Sequence, residues 1–338
     1  MLQVAVIGLG DISALHLAAI QGSEVAGLVA VCDHDSSLED KIPGVPFYTD
    51  YMELLTTENP DCVHICLPHY LHDEVTRACV KKGVHVFLEK PITTSADSSR
   101  RLIELVENQQ EAKVCICLQN RLNATVQELR TIVKSGELGR IIGIKGLVTW
   151  HRPTSYYDIK PWRGTMKEAG GGVMINQAIH TLDLMQLLGG DVHSIRGSIE
   201  SLTENKHEVE DTAIAHLTFK SGATGLFFAT NANATNDSVE LQITFEQGEC
   251  IIKDSVLTKK LADGKKVFVV EDEKVAGTKF YYGASHAKLI HQFYQCIATD
   301  SDEYIHLHEA QSSMELIHAI RESSEKDKRI NMEGLTIT

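Results

Sequence analysis

Gly8-Leu9-Gly10-Asp11-Ile12-Ser13 follows a short apolar run and opens a stretch with helical apolar spacing. Residue types in that order suit a turn that binds a dinucleotide. Gly8 permits the tight bend and Gly10 lets the backbone approach a pyrophosphate. A helix starting at Asp11 and Ile12 offers N–H groups and the positive end of its dipole to phosphate oxygens. Ser13 stands where the fingerprint has Gly or Ala, and it is small enough for the place. Asp33 weighs against a glycine turn with no ligand. It ends the next apolar run, about 20 residues on, where a carboxylate accepts hydrogen bonds from the adenosine ribose and repels a 2′-phosphate. His34, Asp35, Ser36 and Ser37 follow it with no arginine, so NAD is expected in preference to NADP, and His34 faces either adenine or solvent.

Two further segments carry groups that move or hold protons. Glu89-Lys90-Pro91 closes an apolar run, and a lysine at a strand's carboxyl end can stabilise negative charge developing on a substrate oxygen. Its plain alternative is a surface lysine before a loop. Gly170-Gly171-Gly172 leads into a helical stretch with Asn176, His180 and Asp183. At that spacing Asn176 and His180 share one helix face, and His180 neighbours Asp183. Histidine is the natural proton carrier near neutral pH, although a lone helical histidine is more often structural.

The elements that must position these groups follow from the apolar periodicity. Residues 4–7, 25–32, 45–48, 62–67, 84–88 and 113–118 read as strands. Helical signals at 12–20, 51–57, 71–82 and 96–109 separate most of them. Near-continuous apolar strands alternating with helices predict a doubly wound parallel sheet, an α/β Rossmann domain over 1–120. Past Asn120 the texture changes. A helix over 124–135, a strand over 140–151, a polar aromatic loop over 152–167 and a helix over 173–188 precede several strands between 192 and 271. Helices over 285–299 and 309–325 close the chain. The second domain, 121–338, is therefore expected to be α+β with a mainly antiparallel sheet, its last helices free to pack back on the first domain.

Taken in order, Gly8-Leu9-Gly10, Leu67-Pro68-His69-Tyr70-Leu71-His72, Glu89-Lys90-Pro91, Gln119-Asn120-Arg121 and Gly171-Gly172 through His180 and Asp183 resemble the glucose-fructose oxidoreductase / inositol dehydrogenase / rhizopine-catabolism (Gfo/Idh/MocA) family. The resemblance spans nearly the whole chain. It implies a Rossmann domain, an open-faced antiparallel sheet domain and catalysis between them. Lys90 would bind the reacting oxygen, and His180 would be the acid/base. Asn176 stands where many members have an aspartate. Leu67, Pro68, His72, Glu89, Gln119, Trp162 and Arg163 would join Lys90 at the cofactor. Arg121, Tyr156, Arg163, Asn176 and His180 would meet substrate with Lys90. For Trp162 and Arg163 the plain readings are a core filler and a surface charge. The loop holding Tyr156 would fold over a crevice whose aromatic and polar groups suit a sugar ring.

The expected reaction is hydride transfer between the nicotinamide and a ring carbinol of a sugar or cyclic polyol. Two alternatives share the scaffold, a nucleotide-sugar 3-dehydrogenase and a sugar or dicarbonyl reductase. A third is an NAD-sensing regulator without catalysis. A metal hydrolase finds little support, because His306-Leu307-His308 is the closest pair among sixteen histidines and has no zinc-like carboxylate spacing.

Composition narrows the class. The 338 residues are 43% hydrophobic and 23% charged, as in ordinary globular proteins. A net charge of -14 without a Lys/Arg-rich run disfavours nucleic acid. No apolar stretch approaches the roughly 20 residues of a membrane span, and the start lacks a basic leader segment. Cys62, Cys66, Cys115 and Cys117 lie in apolar runs and no CxxC occurs, so buried free thiols and a cytoplasmic protein are expected. The Asn-x-Ser/Thr matches at Asn123, Asn233 and Asn236 are then chance. An open sheet face needs a cover, so a homodimer or homotetramer through the second domain is expected.

Overall fold

Six of the apolar runs become parallel strands: β1 (Leu2–Ile7), β2 (Ala26–Cys32), β3 (Phe47–Tyr48), β4 (Cys62–Ile65), β5 (His85–Leu88) and β6 (Val114–Ile116). Their order in the sheet is β3-β2-β1-β4-β5-β6. The chain reverses its build direction between β1 and β4, and ligands of open α/β sheets bind at such a switch, beyond the carboxyl ends of the strands. Val4, Ala5, Val6, Val63, Val86 and Phe87 are fully buried, as a sheet covered on both faces requires. Strands expected at 62–67 and 113–118 end early. The chain turns after Ile65 and Ile116, and the motif residues sit in the turns.

The computed structural model describes residues 1–109, 111–203, 206–273 and 284–332. The chain divides into two units, Met1–Gln119 with Lys279–Gln311, and Asn120–Thr278 with Ser312–Thr338. Parts of the expected second domain, 274–283 and 333–338, lie outside the described residues. Within the first unit the helix Ser285–Thr299 packs on the helix Ser13–Gln21, where the His291 ring contacts the Ala19 carbonyl at 3.1 Å.

The second unit is built on a nine-stranded sheet. Its strands are β7 (Ile141–Thr149), β8 (Val192–Glu200), β9 (Thr212–Phe219), β10 (Thr224–Thr230), β11 (Glu240–Phe245), β12 (Gly248–Lys253), β13 (Val256–Leu261), β14 (Lys266–Glu271) and β15 (Ile330–Asn331). They run in the order β14-β13-β12-β11-β7-β10-β9-β8-β15. Among the described residues only the β7–β10 pair of this sheet is parallel. Burial alternates along β7, β10 and β11, the signature of a sheet covered on one face. The helix Ile179–Gly189 lies against β7 so closely that a Cβ on Gly146 would come within 2.6 Å of Thr181 and Met185. On the strands Ile142, Ile214, Leu226 and Phe268 are exposed.

Two expectations for this unit are corrected. The loop over 152–167 contains the helix Thr154–Asp158, a 3-10 turn at Pro161–Gly164 and the start of the helix Met166–Ala169. The single helix over 173–188 is two, Val173–Asn176 and Ile179–Gly189. The Gln177 and Ala178 amides both donate to the Val173 carbonyl, at 3.1 and 2.9 Å. That shared acceptor, with its five-residue span, widens the turn and ends the first helix.

Candidate functional site

The first unit gathers its expected residues after the carboxyl ends of five strands. Gly8 follows β1, Asp33 follows β2, Leu67 and Pro68 follow β4, Glu89 and Lys90 follow β5, and Gln119 follows β6. Gly8 has φ +94°, and a Cβ there would lie 2.6 Å from the Cys66 carbonyl oxygen, so both conformation and packing demand glycine. Ser13 is fully buried, and its hydroxyl donates to the Gly10 carbonyl at 2.7 Å, so the serine's polar atom is satisfied within the turn itself. The Asp33 carboxylate accepts from the Leu9 amide at 2.7 Å and the Asp35 amide at 3.0 Å. It is thereby fixed against the glycine turn, where a ribose edge would have to be read. The His34 ring approaches the same carboxylate at 3.1 Å, with its side chain 95% exposed. Sequence reasoning missed Lys41, whose ammonium donates to the Leu9 carbonyl. It lies beyond the short window searched after Asp33.

Two residues expected at the cofactor have buried side chains with internal partners. His72 is buried, with Nδ1 2.7 Å from the Pro91 carbonyl and Nε2 2.9 Å from the Leu67 carbonyl. It braces the two motif turns against each other, one of them carrying the cis Lys90-Pro91 peptide. Burial pushes its pKa down, against the pull of the two carbonyls. Glu89 is also buried, its Oε1 accepting from His16 Nε2 at 3.0 Å. Burial disfavours its charge, but the His16 hydrogen bond and neighbouring imidazoles prevail and hold its pKa below the usual carboxylate range. Gln119 is buried beside Cys117, the thiol 3.5 Å from its Oε1. Lys90 is half-buried. All eight cysteines are free and buried.

In the second unit, from Ala169 to Met185, only Asn176 and His180 reach partial exposure. The packing behind them is tight. A Cβ on Gly172 would lie 1.8 Å from the Glu210 carbonyl oxygen, while the Glu210 carboxylate accepts from the Met174 amide at 3.2 Å. Burial pushes the Glu210 pKa up, opposed by Arg321 and nearby amides. Glu210 carried no local signal in the sequence.

Tyr156 was expected at substrate, and its hydroxyl accepts from Asn176 Nδ2 at 3.0 Å and Gln177 Nε2 at 3.1 Å. Because both partners donate, the phenol's own hydrogen points elsewhere, available to an incoming acceptor. Gln177 Oε1 in turn accepts from Asn231 Nδ2 at 3.0 Å. Gln177 and Asn231 were both missed, since an amide's partner 54 positions away leaves no spacing pattern. Arg163 lies over the Tyr156 ring at 4.2 Å and 5.7 Å from the Trp162 ring, so these three expected residues form one cation–aromatic stack.

Arg121, expected at substrate, has its guanidinium buried in a two-pronged pair with Asp183, Nε to Oδ2 at 2.9 Å and Nη2 to Oδ1 at 2.7 Å. A buried carboxylate needs such a partner, and the planar fork of arginine matches it. Asp183 is thus committed to Arg121 as well as neighbouring His180.

Comparison with known proteins bears on the whole assembly. Residues 2–117 match the oxidoreductase family with an NAD-binding Rossmann fold, and residues 126–251 match the GFO/IDH/MocA C-terminal domain. Myo-inositol 2-dehydrogenase of Thermotoga maritima is 27% identical over 238 residues, 67% of each chain. The crystal structure of the WlbA dehydrogenase from Bordetella pertussis, in complex with NADH and UDP-GlcNAcA, superposes with a TM-score of 0.85 at 26% identity, covering 98% of both chains. Levoglucosan dehydrogenase in complex with NADH shares the fold, with a TM-score of 0.87 at 20% identity over 98% of both chains. No helix among the described residues is long and apolar enough to cross a membrane. With both domains matched in order, the chain belongs to the Gfo/Idh/MocA family of NAD-dependent oxidoreductases.

Proposed function

We propose that this enzyme oxidises a ring carbinol of a sugar or cyclic polyol reversibly, with Lys90, His180 and Asn176 as its catalytic residues. The observation that carries the assignment is the partial exposure of Asn176 and His180 alone within an otherwise buried segment, beside a tyrosine whose hydroxyl hydrogen is available. His180 takes the hydroxyl proton. Lys90 stabilises the charge that develops on oxygen. NAD, when held by the glycine turn, would supply the hydride acceptor. Asn176 carries no charge; its amide orients Tyr156. Gly8, Gly10, Asp11 and Ile12 would hold the pyrophosphate, Asp33 the ribose, and the Arg163–Tyr156–Trp162 stack would meet an apolar ring face. The named substrates of the relatives support the ring-alcohol class. The likeness to WlbA favours a second reading, a nucleotide sugar as the alcohol.

The test follows the near-ultraviolet absorbance of reduced nicotinamide, with NAD or NADP and a panel of inositols, hexoses, uronic acids and nucleotide sugars. Reduction with one ring alcohol and a preference for NAD is the expected result. A signal with nucleotide sugars alone selects the second reading. Silence across the panel with measurable NAD binding overturns the ring-alcohol assignment.

We also propose that the exposed sheet face pairs with a second copy of the chain. Ile214, Leu226 and Phe268 leave apolar area on strands of that sheet, and such area is stabilised by removal from water. Light scattering should report a dimer or tetramer that Leu226→Asp weakens; a monomer at every concentration contradicts this. The buried free thiols suit a reducing compartment and support a cytoplasmic location.

A further inference from the structure

Behind Lys90 the first unit buries a row of polar side chains that neither substrate nor cofactor binding calls for. Tyr294 Oη lies 2.8 Å from His64 Nε2, His64 Nδ1 lies 2.8 Å from His16 Nδ1, and His16 Nε2 lies 3.0 Å from Glu89 Oε1. Tyr294, His64 and His16 are wholly inaccessible to solvent. The row joins four elements: the helix Ser285–Thr299, β4, the helix Ser13–Gln21 and the turn after β5. A buried polar row is costly unless every contact is satisfied, so its proton placement is constrained.

With Glu89 ionised and both His64 and Tyr294 kept uncharged by burial, two placements satisfy all three contacts. In one, every hydrogen points toward Glu89: Tyr294 O–H to His64 Nε2, His64 Nδ1–H to His16 Nδ1, and His16 Nε2–H to the carboxylate. In the other, His16 is an imidazolium that donates to both Glu89 and His64, and His64 Nε2–H donates to Tyr294. In both, His16 donates to an anionic Glu89, and the row holds His16 in place to do so. Burial keeps the pKa of His64 down, and burial keeps that of Tyr294 up, so neither gains charge.

Glu89 immediately precedes Lys90. One peptide bond joins them, and on the other side of Lys90 the Pro91 carbonyl lies 2.7 Å from Nδ1 of the buried His72 ring, so the turn that carries both residues is held from within. His286 Nε2 is 4.0 Å from Glu89 Oε1, and His64, Cys66 and Cys117 are further buried groups that feel the Glu89 charge. Burial holds the His286 pKa down to about 4, and burial holds both thiols up, so neither the ring nor the thiols supply a competing charge at neutral pH.

We propose that Glu89, anchored by the buried Tyr294–His64–His16 row, is a positioning residue that keeps Lys90 an ammonium ion. The assignment rests on the reading of Lys90 as the donor to the reacting oxygen, and it sharpens that reading. Lys90 is held as a hydrogen-bond donor and does not act as a base, which leaves proton removal to His180.

The test titrates Lys90 directly. Lysines of the full-length protein are reductively methylated with a carbon-13 label, and the Lys90 resonance is assigned by its loss in Lys90→Arg. Its midpoint is then followed with pH in the wild type and in Glu89→Gln. The expected result is a fall of at least about one pH unit, a tenfold loss of proton affinity, in Glu89→Gln. Tyr294→Phe, which keeps the carboxylate but loosens its anchor, should shift the midpoint the same way by less, and it serves as the test if Glu89→Gln does not fold. Equal midpoints in wild type and in a variant whose melting curve is intact overturn the proposal. That outcome is distinct from failure of the catalytic reading, which is seen as undiminished turnover in Lys90→Met.

Discussion

The two glycine-rich turns look alike in sequence and do different work. In the first, Gly8 takes a positive φ under the Cys66 carbonyl, and the Leu9 amide and carbonyl are engaged by Asp33 and Lys41. On the proposed assignment this turn faces the cofactor. In the second, Gly172 sits against the backbone of Glu210 with no room for a methyl group. It lets the Asn176 and His180 segment pack down, and only those two side chains emerge from it. A glycine run therefore announces a close approach; what approaches, phosphate or protein backbone, depends on the element opposite.

Substitutions should separate the two roles. Gly172→Ala forces a carbon into a carbonyl oxygen and should cost about 3 kcal/mol or more, read by chemical denaturation. Wild-type stability in that variant would break the comparison. Gly8→Ala combines strain with a 2.6 Å clash, and should cost about 1–3 kcal/mol while removing most NAD binding, read by calorimetry. If Gly8→Ala bound NAD normally, the first turn would be packing as well. Asp33→Ala removes one fixed acceptor and should weaken NAD about tenfold, with NADP affected less.

Glu210, which faces Gly172, and its chain neighbour Asp211 offer a pH contrast. The folded-state pKa of Glu210 is raised by burial, so its contribution to stability is full below its unfolded value near 4.5 and is lost as pH rises through the folded pKa. Next to it, burial also acts to raise Asp211, but Thr203 and the Leu202 and Thr203 amides prevail and lower it. Its contribution is present above 3.8 and is lost as pH falls through the folded pKa. Glu210→Gln should therefore gain on the wild type as pH rises from acid to neutral, and Asp211→Asn should lose ground. Parallel melting curves for all three proteins would contradict this. The smallest effect is expected of Asn176→Asp. Tyr156 can reverse its hydrogen bond and donate to the new carboxylate, so turnover should change by no more than about tenfold.

The sequence made the first unit legible because strand ends carry both the apolar stop and the motif. Gly8, Asp33, Leu67 and Lys90 all follow strands recognisable from composition alone. Direction was less legible than position. His72 and Glu89 lie where expected along the chain, yet they point into the core, toward Pro91, Leu67 and His16. Arg121 is captured by Asp183, 62 residues later, and no local pattern encodes that pairing. The helix break at Gln177 and Ala178 was hidden because both residues are compatible with a helix, and one shared carbonyl is enough to interrupt it. The i, i+4 argument for Asn176 and His180 therefore assumed a helix that is not continuous, although both side chains do reach partial exposure.

The account turns on Lys90 as the group that stabilises charge on the reacting oxygen. The direct test is nicotinamide reduction by Lys90→Met at saturating NAD and ring alcohol, with NAD affinity measured on the same sample. The account predicts a loss in rate of about 100-fold or more with NAD binding essentially intact. Turnover equal to that of the wild type would remove Lys90 from the chemistry and contradict the account.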